Sequence, residues 1–338
     1  MAAPAGSFDR PFPAFTPAQR WHLDVFGFVV IPSTLLPEEC ARLHAVLSSL
    51  RDELLTEPPE LDQVARRGAH GPGPGGCWIR PGDKEAPLHF LAHLVEANPA
   101  ITAYASHPKM VAMCEEFLGG EARIVESNCF INRGNPQDEA QQHAFVPSWH
   151  RGTDLPYAGY VGKSNGLTHC NFVKALTNLT ELRDESDGGT VLIKGSHKLD
   201  VPTAELAAMA AANPEMVHTV VAPAGSTIVF GETTVHATGQ NRSGRERIVL
   251  STGYGPSHFP YWHDDHTHSA GGYRPMSDGF LAAVPRELAT LFKGNQSWGR
   301  GEHQRGALTD AVDPRVEGFR LGDAGSWAPT PYRLSASL

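Results

Sequence analysis

The sequence predicts a mainly β protein, a sandwich or barrel of short strands behind a helical preface. Three observations lead there. Before about residue 120, apolar residues recur at helical spacing, as in Cys40, Leu43, Leu47, Leu50 and Leu54. From Ala122 onward they gather in short runs rich in β-branched residues. Breakers separate those runs: Asp187-Gly188-Gly189, Lys194-Gly195-Ser196-His197 and Pro223-Ala224-Gly225-Ser226. No internal repeat or linker interrupts the chain, so residues 1–338 read as one domain. It has a helical preface over 1–120, a strand-built core over 121–255, and an extension over 256–338 packed on that core.

The elements follow in order. After a loose tail over 1–15, Thr16-Pro17 starts a helix: a capping hydroxyl, then proline in the first turn. It runs through Phe26 and stops at Gly27, and Phe28–Ile31 is a strand. Pro37-Glu38-Glu39 opens a second helix, with acidic residues at the positive end of its dipole. Gly68–Gly76 is a breaker cluster, a surface loop or a mobile one over a site. Without a following Gly-Lys-Ser/Thr it is not a phosphate loop. Residues 88–118 read as two or three helices, ended by Gly119-Gly120. Strands are predicted over 123–131, 168–176, 190–193, 217–221, 227–230 and 247–252, and one late helix over 285–292.

Composition narrows the function classes. The chain has 338 residues and a net charge of −9 with no basic block, which speaks against nucleic acid and anionic membrane surfaces. No apolar run approaches the roughly 18 residues of a membrane span. The N-terminus lacks a signal-peptide apolar region, and five scattered cysteines without CxxC spacing read as reduced thiols. Together these point to the cytoplasm.

Two stretches carry chemistry. Pro147-Ser-Trp-His150-Arg-Gly152-Thr-Asp154 holds a histidine; Phe230–Arg247 holds another, His236, followed by an arginine that opens an apolar run. Two histidines on separate strands of a barrel can grip one iron, and the third ligand of such a face is ordinarily a carboxylate. A spacing of two along an extended chain puts side chains on one face, roughly 6.6 Å apart. That position is Gly152. Asp154 shares the face but lies roughly 13 Å from His150 in an extended chain, and reaches the metal only if the backbone folds back. Arg247 suits a two-pronged contact with a carboxylate. Arg245 lies on the same face and is its rival.

These residues resemble the phytanoyl-CoA dioxygenase family of iron(II)/2-oxoglutarate enzymes. The resemblance runs from about Trp21 to Tyr254. It rests on Phe26-Gly-Phe-Val-Val-Ile-Pro32, Trp149-His150, Asp187–His197, Pro223–Phe230, His236 and Arg247 in that order and spacing. It implies a double-stranded β-helix, a cupin-like jelly roll, with His150 and His236 holding Fe(II). It implies Arg247 as the clamp on the distal carboxylate of 2-oxoglutarate, assisted by Thr238, with O2 as cosubstrate. Glycine in place of the family's usual aspartate is a feature of its halogenases, in which chloride fills the vacated position. The first reading is therefore a radical halogenase with its halide at Gly152. The alternatives are a hydroxylase, with Asp154 or an unseen carboxylate as third ligand, and a non-catalytic jelly roll that binds a ligand.

Most of the seventeen histidines read as surface or hydrogen-bonded residues. His169, on a strand expected to line the barrel, and Asn132, near its start, are candidates for 2-oxoglutarate. Arg151, Asn171, Lys174 and His263 are candidates for substrate, and suggest a small polar metabolite such as a nucleotide or amino acid. His263 belongs to a late run with His258, His266 and His268, read as a substrate-facing or solvated loop rather than a second metal site.

Overall fold

A computed structural model describes residues 13–56, 73–79, 87–134, 147–153, 158–162, 166–256, 276–285 and 288–292. Asp154 and His263 lie outside them.

Helix α1 (Pro17–Phe26) begins with a reciprocal capping box between Thr16 and Gln19, and ends at Gly27 in the left-handed conformation, φ 86°. Strand β1 (Phe28–Ile31) follows, then α2 (Pro37–Thr56), whose apolar stripe Cys40, Leu43, Leu47, Leu50 and Leu54 is buried. Strands β2 (Trp78–Ile79) and β3 (Leu88–Ala92) precede α3 (Pro99–Ala105) and α4 (Pro108–Leu118). The segment 88–92 is therefore strand where helix was expected. It is almost wholly buried, and a short buried apolar run carries no period that distinguishes the two.

The core strands are β4 (Arg123–Asn132), β5 (Gly159–Val161), β6 (Thr168–Cys170), β7 (Val173–Asn178), β8 (Thr190–Ile193), β9 (Val217–Thr219), β10 (Thr227–Gly231), β11 (His236–Thr238) and β12 (Arg247–Gly255). The expected single strand over 168–176 is two. β6 pairs with β5 in a side sheet, whereas β7 pairs with β10 and β12, so the chain changes sheets at Asn171-Phe172. Helix α5 (Thr203–Ala212) joins β8 to β9, and α6 (Asp278–Ala283) and α7 (Ala289–Phe292) close the described chain.

Seven antiparallel strands form the large sheet, in the order β1-β10-β7-β12-β4-β3-β2; the small sheet is β11-β8-β9. One face of the large sheet packs on α2, α3 and α4 in a core that includes Leu47, Ile101, Met110, Phe117, Cys129, Ile131, Val229 and Leu250. Each such fully buried side chain contributes about 1.5–3 kcal/mol. Met276, Leu281, Val284, Leu291 and Phe292 join the same core, which places the described part of the extension on it. Between the two sheets lies a second apolar cluster of Phe28, Leu176, Leu192, Ile228, Phe230 and Val249. This is the jelly-roll arrangement. The five cysteines are buried and free. Among the described residues no helix is long and apolar enough to cross a membrane.

The inner face changes character along β4 and β12. Their register sets Asn132 opposite Arg247, Phe130 opposite Val249, Asn128 opposite Ser251, and Glu126 opposite Gly253. Lys174 of β7 stands beside Gly253 on the other flank. One half of the sandwich interior is therefore dry and the other is a row of buried polar groups.

Candidate active site

His150 and His236 face each other across an antiparallel bridge. Each N–H donates to the other's carbonyl, at 3.0 and 2.9 Å, and the two rings stand 4.3 Å apart between centroids. Each ring places Nδ1 on a carbonyl two residues back: Ser148 at 2.8 Å and Thr234 at 2.9 Å. A carbonyl only accepts, so Nδ1 carries the proton and Nε2 presents its lone pair. That tautomer is the one fixed in metal-binding histidines. Burial pushes His236 down to about 3, against the raising effect of Glu232, so its imidazole is neutral. His150 is exposed, which sets the pair at a mouth of the sandwich.

Gly152 follows on the same segment. Its φ is not in the left-handed region, so backbone freedom is not what the glycine provides. It provides space. A Cβ there would stand 2.9 Å from Cδ of Glu232 and closer still to Oε2. Glu232 lies in the turn between β10 and β11, and its carbonyl accepts from the N–H groups of Gly152 and Thr153 at 3.0 and 3.3 Å. Its side chain is 1% exposed; Oε1 lies 2.9 Å from Lys174 Nζ and 3.8 Å from His236 Nε2. Burial alone would raise this carboxyl, but Lys174 and the histidines hold it below the usual range. Lys174 also meets Glu126 at 3.3 Å; burial opposes its charge, and the two carboxylates outweigh that and raise it. The approach crosses Gly253, which has no side chain in the way.

Arg247 opens β12 and is 3% exposed. Its Nη2 donates to Thr190 Oγ1 at 3.0 Å, linking the two sheets, while Nε and Nη1 are buried without a hydrogen-bond partner among the described residues. Burial lowers it to about 10, and it remains cationic at neutral pH. The buried Ser251 hydroxyl, on the same face, likewise lacks a partner among the described residues. Buried donors left open in this way cost about 1–3 kcal/mol each, and a row of them marks a place where a polar ligand belongs.

Other expected residues are placed differently. Thr238 sits opposite Thr190 on the neighbouring strand, and Thr190 is the hydroxyl that bonds Arg247. Arg245 is tied to Asp187, which removes it as a rival clamp. Asn132 stands opposite Arg247, with Oδ1 accepting from the Gly134 N–H at 2.9 Å. His169 is not brought to the pair. Its Nδ1 meets the Phe117 carbonyl at 3.0 Å and its ring stacks on Tyr160, while the next residue, Cys170, faces Gly231 and Thr233. Arg151 spends its guanidinium on the carbonyls of Leu199 and Val201. The backbone of Asn171 bonds Ala158. Lys174 faces Glu126 and Glu232 rather than open space. Among the described residues no three His, Cys, Asp or Glu side chains form a complete metal site as they stand. The two histidines and Glu232 are neighbours short of a closed ligand sphere.

A jelly roll with two tautomer-fixed histidines at its mouth and a buried, half-satisfied arginine in its polar half defines a class, the iron(II)/2-oxoglutarate oxygenase scaffold. Residues 23–249 match the phytanoyl-CoA dioxygenase family model. The chain belongs to that family of oxidoreductases. It is 31% identical over 155 residues to dioxygenase olcK of Penicillium canescens, a match spanning 46% of each chain, about half of that relative's length. Among solved structures it is similar to HygX of Streptomyces hygroscopicus with nickel and 2-oxoglutarate bound (TM-score 0.57, 19% identity, 78% of this chain and 97% of that one). It is also similar to the non-heme α-ketoglutarate-dependent carbocyclase SnoK from nogalamycin biosynthesis (TM-score 0.52, 18% identity, 80% and 91%). At these identities the likeness is one of fold.

Proposed function

We propose that this protein oxidises a small-molecule substrate with Fe(II), 2-oxoglutarate and O2. His150 and His236 would hold the metal through Nε2, and Arg247 would hold the distal carboxylate of 2-oxoglutarate. The observation that carries the reading is the buried guanidinium of Arg247, with two donor nitrogens open among the described residues. It reaches Thr190, which lies opposite Thr238, and Thr238 is two residues along β11 from His236. Two residues of strand span about 7 Å, a distance suited to a five-carbon diacid anchored at both ends. Bound iron would supply open coordination positions for the 2-oxo acid and then for oxygen. The protein's own part is to fix the histidine tautomers, neutralise the distal carboxylate and exclude water beneath it.

Of the proteins similar in fold, SnoK is a carbocyclase, and HygX binds hygromycin B together with nickel and 2-oxoglutarate. A polar small molecule is consistent with the exposed His150 side of this site. Halogenation is the second reading, and Gly152 is the observation that favours it. The nearby carboxylate of Glu232 disfavours it, because an anion beside chloride costs energy in a buried site. Purified protein given Fe(II) under air should turn 2-oxoglutarate into succinate and carbon dioxide. His150→Ala or His236→Ala should abolish this in a folded protein, and full turnover in either variant would remove the assignment.

A further inference from the structure

We propose that Glu232 is this chain's third metal ligand, delivered from the β10–β11 turn into the space that Gly152 leaves. The inference rests on the Fe(II)/2-oxoglutarate reading and assigns the carboxylate which that reading lacks.

Space is the first argument. A side chain at 152 would enter the carboxylate of Glu232. The position is not vacated; a carboxylate from another segment occupies it. The two segments are also tied at the backbone, where the Glu232 carbonyl accepts from Gly152 and Thr153. Moving one moves the other.

Donor type is the second argument. A two-histidine iron face ordinarily takes a carboxylate as its third donor, and Glu232 is a buried carboxylate beside His236.

Geometry agrees. Donors about 2 Å from one ion stand about 3 Å apart at a right angle and about 4 Å apart in line. Glu232 Oε1 and His236 Nε2 are 3.8 Å apart, between those values. Lys174, bonded to the same oxygen at 2.9 Å, acts as the positioning residue behind the ligand, with Glu126 holding Lys174 in turn. The carboxylate of the usual His-x-Asp pair has thus changed segments while keeping its place in space.

The test is anaerobic titration of the full chain with Fe(II), with and without 2-oxoglutarate and chloride, read by calorimetry rather than turnover. Wild type should bind one ion, with an affinity indifferent to chloride. Glu232→Gln, close in shape but uncharged, should weaken binding at least tenfold. The double variant Gly152→Asp/Glu232→Ala should regain most of it, because the carboxylate returns from the other segment into space the glutamate has left. Gly152→Asp alone should bind no better than wild type, since two carboxylates then compete for one space. Equal Fe(II) affinity in wild type and Glu232→Gln overturns the assignment. So does a double variant that binds no better than Glu232→Gln, which would make Glu232 a structural partner of Lys174. If wild type itself takes up no Fe(II), the underlying reading of the site fails, and this assignment falls with it.

Discussion

Replacing Arg247 with leucine separates a binding role from a folding role, because the two respond in opposite directions. The guanidinium is buried and cationic, and among the described residues it has a single hydrogen bond, to Thr190, with two donor nitrogens open. In a desolvated site, losing one partner of a charge-assisted carboxylate pair costs about 2–5 kcal/mol. That corresponds to roughly a 30-fold to several-thousand-fold rise in the 2-oxoglutarate dissociation constant. The empty protein gains on the other side. Arg247→Leu removes a desolvated charge with little compensation, at the cost of leaving the Thr190 hydroxyl unpaired, about 1 kcal/mol. Its melting temperature without ligand should be unchanged or higher. In wild type, 2-oxoglutarate with metal at a hundred times its dissociation constant should stabilise by about 2.7 kcal/mol, and the variant should lose that shift. Arg247→Lys, which keeps the charge and loses the fork, should fall between them. Isothermal titration and thermal melts of the three proteins are the assay. An unchanged dissociation constant in Arg247→Leu would refute the clamp. So would a large loss of stability without ligand, since it would make the arginine structural.

Stability should fall on acidification. Burial lowers His197 to about 4, and an unfolded histidine takes its proton near 6.5. The folded form therefore binds fewer protons between those values. The contribution is present above about pH 6.5 and is lost as pH falls, by roughly 2 kcal/mol at pH 5. His107, also lowered to about 4 by burial, acts in the same direction. Urea unfolding at pH 7 and pH 5 checks this, and equal midpoints would contradict it. Tyr104→Phe should destabilise by about 1–3 kcal/mol, because its buried hydroxyl meets both Thr177 Oγ1 and the Leu250 carbonyl at 2.9 Å, joining α3 to the large sheet. Gly253→Ala should disturb Fe(II) affinity without touching a ligand, since the new Cβ would stand 2.8 Å from Cβ of Glu126 and 2.6 Å from the Phe172 ring. Unaltered affinity in the folded variant would separate Lys174 and Glu126 from the metal site.

What could be read from the sequence is what local chemistry fixes. The Thr16-Pro17 start, the Gly27 stop and the start of β12 at Arg247 each depend on a few neighbouring residues, and each appears where its pattern places it. Motif spacing locates His150, His236 and Arg247 along the chain, but not in space. Their placement opposite each other and across from Thr190 is a property of strand pairing. Thr190 could not be distinguished from Thr238, since the two sit opposite each other and only register decides which one meets the arginine. Reading 168–176 as one strand puts His169 on the lining of the barrel. The break at Asn171-Phe172 turns it toward α4 instead. Buried β3 offered no period at all.

Glu232 was missed for a further reason, and the reason concerns glycine. A sequence shows where a side chain is missing, not what occupies the space. Gly152 read as a vacancy because the expected aspartate was absent along the chain, and Gly253 carried no message. In three dimensions both glycines make room for charge arriving from a neighbouring segment: Glu232 beside Gly152, and Lys174 across Gly253 toward Glu126. The one local signal was a glutamate set among hydroxyl and apolar residues between Phe230 and Ala237, in a stretch otherwise buried. A carboxylate in such a run needs a partner, and in the fold it meets Lys174 at 2.9 Å. That partner comes from β7 and the room for the carboxylate comes from Gly152, two segments distant along the chain, so no spacing or period could have joined Glu232 to the histidines.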